Sequence, residues 1–169
     1  MKVALILGSA SDLPVAEKAF EMLAAFGIGY EARILSAHRT ADATADFCRN
    51  ARERGFGVII AFAGMAAHLA GAAAAHTTLP VIGVPCRGGV LDGLDALLST
   101  TQMPSGVPVA AVALNGGVNA ALLAARILSL SDSRLAVKLA DYKQRLADEV
   151  FEKDAELQAQ NTGRQGPDQ

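Results

Sequence analysis

Five short apolar runs, each followed by a stretch with helical spacing, constrain the fold of this chain more than any other feature. The runs fall at residues 3–7, 30–35, 58–62, 81–84 and 109–114. Runs this short, rich in Val, Ile and Leu and bounded by Gly or Pro, suit buried parallel strands. After the first, Val15, Ala19, Met22, Leu23 and Phe26 recur at helical spacing, and Gly27 stops the helix. Further helices are predicted over 40–54 (capped by Thr40 or Asp42), 66–75, 91–101 and 119–130. Strand and helix in strict alternation imply a parallel sheet covered on both faces. With the common strand order 2-1-3-4-5, a ligand crevice is expected beyond the carboxyl ends of strands 1 and 3.

From Ser131 the chain turns polar, yet Leu135, Leu139, Tyr142, Leu146 and Val150 still form a stripe at spacings of three and four. A long helix over 131–160 is predicted, closing a single domain of residues 1–160, with a disordered tail at 161–169. The stripe either folds back on its own sheet or docks on a neighbouring subunit. Docking is the expectation, because the five units already supply helices to both faces.

Composition narrows the function. A formal net charge of -2 argues against nucleic acid as the main partner. The chain opens with Met1 and Lys2 and a short apolar run, not a secretory signal. The most apolar segment, 58–75, is broken by Gly64, His68 and Gly71, so no membrane span is expected. Two scattered cysteines, Cys48 and Cys86, form no disulfide framework and fit a reducing cytoplasm. No phosphate-binding loop of the ATP or GTP type, no dinucleotide fingerprint and no metal-ligand spacing is present.

Three loops would meet at the crevice. Gly8-Ser9-Ala10-Ser11-Asp12 combines a glycine turn, two hydroxyls, a carboxylate and a helix start, which suits an anion such as phosphate. Ser36-Ala37-His38-Arg39-Thr40 adds a permanent cation. Gly64 to Gly71 carries His68 at a third helix start. A lone histidine in such a place is usually a cap or a surface residue. Two of the three histidines at one predicted crevice favour proton transfer by His38. His68 stays open between catalysis and support. His76 is read as a partner of its helix C-terminus, and Cys86 as a buried thiol. The glycine-rich segment 85–93 could close over a ligand, with Gly88 and Gly89 as hinges, or be an ordinary loop.

These segments, with Leu79-Pro80-Val81-Ile82-Gly83-Val84-Pro85, Gln102-Met103-Pro104-Ser105-Gly106-Val107-Pro108 and Asn119-Ala120-Ala121-Leu122-Leu123-Ala124-Ala125, occur in one order. Together, over residues 3–150, they resemble the N5-carboxyaminoimidazole ribonucleotide mutases of purine biosynthesis. The resemblance implies a flavodoxin-like three-layer α/β/α sandwich and a homo-octamer whose C-terminal helices reach neighbours. It implies a ribonucleotide substrate and carboxyl transfer from N5 to C4 through enclosed CO2, without metal, ATP or organic cofactor. It places Ser9 and Arg39 at the phosphate and Asp12 at the ribose hydroxyls. Ser11, Ser36, Ala37, Gly64, Ala66, Ala67 and Leu69 complete the implied binding set. His38 takes the place of the general acid/base, with His68 as its catalytic companion. The chain departs from the commonest pattern at Ala41 and Ala70, where proline is frequent, and at Met65, where glycine is.

Three rivals remain at this stage. The second class of the same family carboxylates aminoimidazole ribonucleotide directly with CO2; Arg39 and His68 favour the mutase. A receiver module would want an aspartate after strand 3 and a lysine after strand 5, where this chain has Gly64 and Asn115. A non-catalytic phosphate-ligand or flavin-binding module would not need His38 and would supply aromatic stacking near the loops.

Overall fold

The computed structural model describes residues 1–162. Five strands form one parallel sheet in the order β2-β1-β3-β4-β5: β1 (Lys2–Leu7), β2 (Tyr30–Ile34), β3 (Phe56–Gly64), β4 (Val81–Cys86) and β5 (Ala110–Ala111). Six α-helices accompany them: α1 (Leu13–Ala25), α2 (Ala41–Arg49), α3 (Leu69–Ala75), α4 (Leu94–Thr101), α5 (Gly117–Ser129) and α6 (Ser133–Thr162). A single turn of 3-10 helix, Ala10–Asp12, precedes α1. This is the expected flavodoxin-like α/β/α sandwich with a long C-terminal helix.

From Val3 to Leu7 and from Val58 to Ala63 the central strands carry only apolar residues, because both of their faces are covered. Val3, Leu5 and Leu7 of β1 and Val58, Ile60 and Phe62 of β3 pack with α1 and α5. Ala4 and Ile6, with Ile59 and Ala61, pack with α2 and α3 on the other face. The many alanines let helices lie close. Gly117 shows the limit: a Cβ there would stand 2.3 Å from the Val15 carbonyl oxygen, so no side chain fits between α1 and α5.

Element ends moved where local chemistry overrode periodicity. The fifth strand shrinks to two paired residues. Pro108 has no N–H to donate, and beyond Ala111 only Val112 N to Gly83 O (3.1 Å) and Asn115 N to Pro85 O (2.9 Å) tie the chain to β4. Helix α3 starts three residues later than expected, because Met65 adopts a left-handed φ of 55° and residues 65–68 form a turn. Likewise Asp92 (φ 47°) and Gly93 (φ 95°) delay α4. Helix α2 ends at Arg49, and turns carry the chain on to Gly55. Helix α5 is capped at Gly116, so Asn119 lies inside its first turn and does not cap it.

The stripe on α6 divides. Leu135 is buried, Leu139 and Tyr142 pack on the core, and the Phe26 and Tyr142 rings meet edge-on at 5.6 Å. Lys138 Nζ donates to the Phe26 carbonyl (3.0 Å) at the C-terminal end of α1, where a cation is favoured. This half folds back on its own chain, which corrects the expectation that the whole stripe docks elsewhere. Leu146, Val150, Phe151 and Leu157 remain exposed. Of the segment expected to be a disordered tail, Asn161 and Thr162 end α6, and 163–169 lie outside the described residues.

Among the described residues, no helix is long and apolar enough to cross a membrane. Both cysteines are free and buried.

Candidate active site

The loops after β1, β2 and β3 converge at the carboxyl edge of the sheet and enclose a cavity of about 600 Å³. Its position follows from the strand order: β2 and β3 leave β1 on opposite sides, and their loops splay apart there.

The first wall is Gly8 to Asp12. Ser9 caps the 3-10 turn: its Oγ accepts from Ser11 N (3.3 Å), and Asp12 Oδ2 accepts from Ser9 N (3.0 Å). This reciprocal box fixes the loop. Ser9 Oγ stands a further 3.0 Å from Ser11 Oγ, which donates to it. Having accepted twice, the Ser9 hydroxyl has its own O–H left to offer a ligand. Asp12 is buried, and that burial raises its carboxyl above the usual value, against the lowering effects of the Ser9 N–H and the Cys86 thiol.

The second wall is Ser36 to Thr40. Ser36 Oγ accepts from Arg39 N (3.2 Å), and Thr40 Oγ1 accepts from Ser36 N (2.9 Å) and donates to Ser36 O (3.1 Å). Thr40 is the N-cap of α2, but its side chain serves this loop and not the helix. Arg39 spans the crevice and donates from one terminal nitrogen to the Gly8 carbonyl (3.2 Å). Its other N–H groups remain for an anion beside the Ser9 hydroxyl.

The third wall is Gly64 to Leu69. A Cβ on Gly64 would come 3.2 Å from the Cys86 carbonyl oxygen, so bare backbone forms the floor. The left-handed turn at Met65 places His68 just before α3, facing His38. His38 Nε2 and His68 Nδ1 are 2.8 Å apart, with ring planes at 85°. One nitrogen of that contact must carry a proton and the other a lone pair, so the tautomers of the two rings are linked.

Every residue predicted for the site lines this cavity except Ala67, which is buried and was expected to contribute through its backbone. Sequence reasoning had not singled out Arg87, which lines the cavity with Gly88 and Gly89. The only signal was a cation inside the glycine-rich segment after β4. Arg87 N donates to Asn115 Oδ1 (2.9 Å), and its side chain lies 3.9 Å from Asp92. His76 ends α3, away from the cavity. Burial pushes the Cys86 thiol up to about 12, with Asp12 adding to the effect. Among the described residues, no group of three His, Cys, Asp or Glu could hold a metal ion.

A parallel sandwich with a crevice built for an anion and a linked imidazole pair defines a class of small-molecule enzyme sites. The chain belongs to the AIR carboxylase family, whose profile matches residues 2–149. It is 53% identical over 157 residues to the N5-carboxyaminoimidazole ribonucleotide mutase of Thermotoga maritima, covering 93% of this chain and 92% of that protein. Identity to the protein of the same name from Mycobacterium tuberculosis is 54%, over 93% of this chain and 90% of the other. The crystal structure of Treponema denticola PurE superposes with a TM-score of 0.82 at 34% identity, covering 92% of this chain and 97% of that one.

Proposed function

We propose that the protein is a mutase converting N5-carboxyaminoimidazole ribonucleotide to 4-carboxy-5-aminoimidazole ribonucleotide, a step of purine biosynthesis. The observation that carries this reading is the 2.8 Å pairing of His38 and His68 in the cavity that Arg39 and Ser9 equip for an anion. The relatives' names agree with it.

In this reading the phosphate lies against Ser9, Ser11 and Arg39, and the ribose hydroxyls meet Asp12. The flat ring rests over the backbone of Gly64 and Ala66, near Ser36, Ala37 and Leu69. His38 donates a proton to N5 as the carbamate C–N bond breaks, and CO2 is released within the cavity. C4 attacks that CO2 and forms the new C–C bond, and His38 takes back the proton that C4 loses. Atoms, protons and electrons balance within the one substrate, so the reaction is an isomerisation. One imidazole suits both halves, because the ring that gives its proton to N5 becomes the base that takes one from C4. CO2 offers little to bind, so confinement and orientation supply most of the rate.

The protein is further read as a cytoplasmic homo-octamer. Two exposed apolar surfaces support assembly: Leu146, Val150 and Phe151 on α6, and Leu94 and Leu98 on α4 with Leu91 in the turn before it. The buried, unpaired cysteines are compatible with a reducing compartment.

The test is an assay without ATP or added metal, using fresh N5-carboxyaminoimidazole ribonucleotide beside aminoimidazole ribonucleotide plus bicarbonate. Rapid product from the carbamate alone is expected. Product only from the second mixture, rising with dissolved CO2, would assign the chain to the direct carboxylases. No product from either would leave a phosphate-ligand binding module.

A further inference from the structure

In the reading above the phosphate, the ribose and the ring each have partners, and the carboxyl group that moves has none. Of the residues lining the cavity, Arg39 and Arg87 are the permanent cations. Strand order sets them apart. Arg39 delivers its guanidinium to the Gly8 carbonyl at the end of β1 (3.2 Å). Arg87 follows Cys86, the last residue of β4, and β3 lies between β1 and β4. Two strand spacings put Gly8 and the end of β4 about 10 Å apart. Cys86 pairs in register with Gly64, so Arg87 leaves the sheet beside the bare floor of the cavity. A Cβ on Gly89 would come 3.2 Å from Met65 Cγ, so the loop that carries Arg87 lies against the third wall.

The backbone of Arg87 is held while its head is loosely tethered. Arg87 N donates to Asn115 Oδ1 (2.9 Å), and Asn115 N donates to Pro85 O (2.9 Å), which ties the loop after β4 to the loop after β5. The guanidinium has the Asp92 carboxylate 3.9 Å away, and the two side chains are 62% and 74% exposed. So open a pair contributes little. Arg87 can therefore exchange Asp92 for a carboxylate that enters the cavity and meets it bidentately.

We propose that Arg87 binds the migrating carboxylate, so that the cavity takes a ligand with two anionic ends, phosphate at Arg39 and carboxylate at Arg87. The assignment rests on the substrate reading above. N5 is carried by the ring carbon next to C4, so the carboxylate leaves the same edge of the ring before and after its transfer. One flexible guanidinium reaches both positions. CO2 carries no charge, so the contact exists in substrate and product and lapses between them. Arg87 therefore selects the carboxylated ribonucleotide over its uncarboxylated form and contributes little to the rate.

The experiment titrates 4-carboxy-5-aminoimidazole ribonucleotide and aminoimidazole ribonucleotide, which differ only in the carboxylate, into the protein by calorimetry. Wild type is compared with Arg87→Gln, Arg87→Lys and Asp92→Asn. Arg87→Gln is expected to weaken the carboxylated ligand about tenfold, as for a lost hydrogen bond to a charged group in a half-open site. It should leave the uncarboxylated ligand within about twofold. Arg87→Lys should keep part of the preference, and Asp92→Asn, which removes the competing carboxylate, should tighten the carboxylated ligand alone. Unchanged binding of both ligands by Arg87→Gln, or equal weakening of both in a protein that melts as wild type does, overturns the assignment. Should Arg87→Gln not fold, Asp92→Asn decides: no selective tightening overturns it. Wild type that binds neither ribonucleotide overturns the substrate reading and this assignment with it. Wild type that binds both, with no selective loss in Arg87→Gln, overturns the assignment alone.

Discussion

The first wall of the cavity and the imidazole pair formed between the second and third walls use their polar atoms in opposite ways. From Gly8 to Asp12 the polar atoms are spent on one another: the box between Ser9 and Asp12 closes the loop, and Asp12 is buried. Across the crevice, His38 and His68 are exposed and bonded only where their protons can redistribute. A wall fixed by its own hydrogen bonds suits binding, because little order has to be gained when the ligand arrives. A wall of exposed imidazoles suits chemistry, because its proton content can change without disturbing the fold.

The largest effect should come from breaking the chemical wall alone. His38→Asn is expected to lower kcat about 10²–10⁴-fold, while ribonucleotide binding measured by calorimetry changes only slightly. Equal loss of binding and turnover would mean that the two walls do not divide the work. Next comes the fixed wall. Ser9→Ala removes the cap and one anion donor together, so it should cost roughly 1 kcal/mol of stability in urea unfolding and raise KM. Unchanged stability would show that the box does not hold the loop.

Asp12 gives a pH-dependent version of the same test. Its folded carboxyl sits above the ordinary value, chiefly through burial. The native state therefore holds this proton more tightly than the unfolded chain. Its contribution is most favourable at acid pH and is lost as pH rises through the raised value. Asp12→Asn should accordingly gain stability relative to wild type as pH is raised from acid to neutral. A constant difference would mean that Asp12 is not effectively desolvated. The smallest effect belongs to the third wall: Met65→Gly relieves a left-handed φ of 55° and should stabilise the native state by about 0.5–1 kcal/mol against the greater unfolded-state freedom of glycine.

The fold was legible because each buried strand announces itself as an apolar run, and five in series admit few topologies. The walls were legible because loops after parallel strands are where ligands bind, and because Ser9, Arg39, His38 and His68 are unusual company. Element ends were less so. Left-handed φ at Met65 and Asp92 is a backbone choice that neither side chain advertises, and it set the starts of α3 and α4. Arg87 was missed because it reaches the cavity from the loop after β4, with no motif of its own. The split of the α6 stripe was hidden because Leu139 and Leu146 look alike in sequence. What separates them is where the body of the sandwich ends.

The central claim is that the carboxyl group moves from N5 to C4 without leaving the cavity. The direct measurement gives the enzyme N5-carboxyaminoimidazole ribonucleotide with a heavy-carbon label in the carbamate, in buffer holding an excess of unlabelled bicarbonate, and follows the label by mass spectrometry. The account predicts product that keeps its label while that pool is present. Product carrying the isotope ratio of the dissolved pool would contradict it, and would mean that CO2 enters from solution.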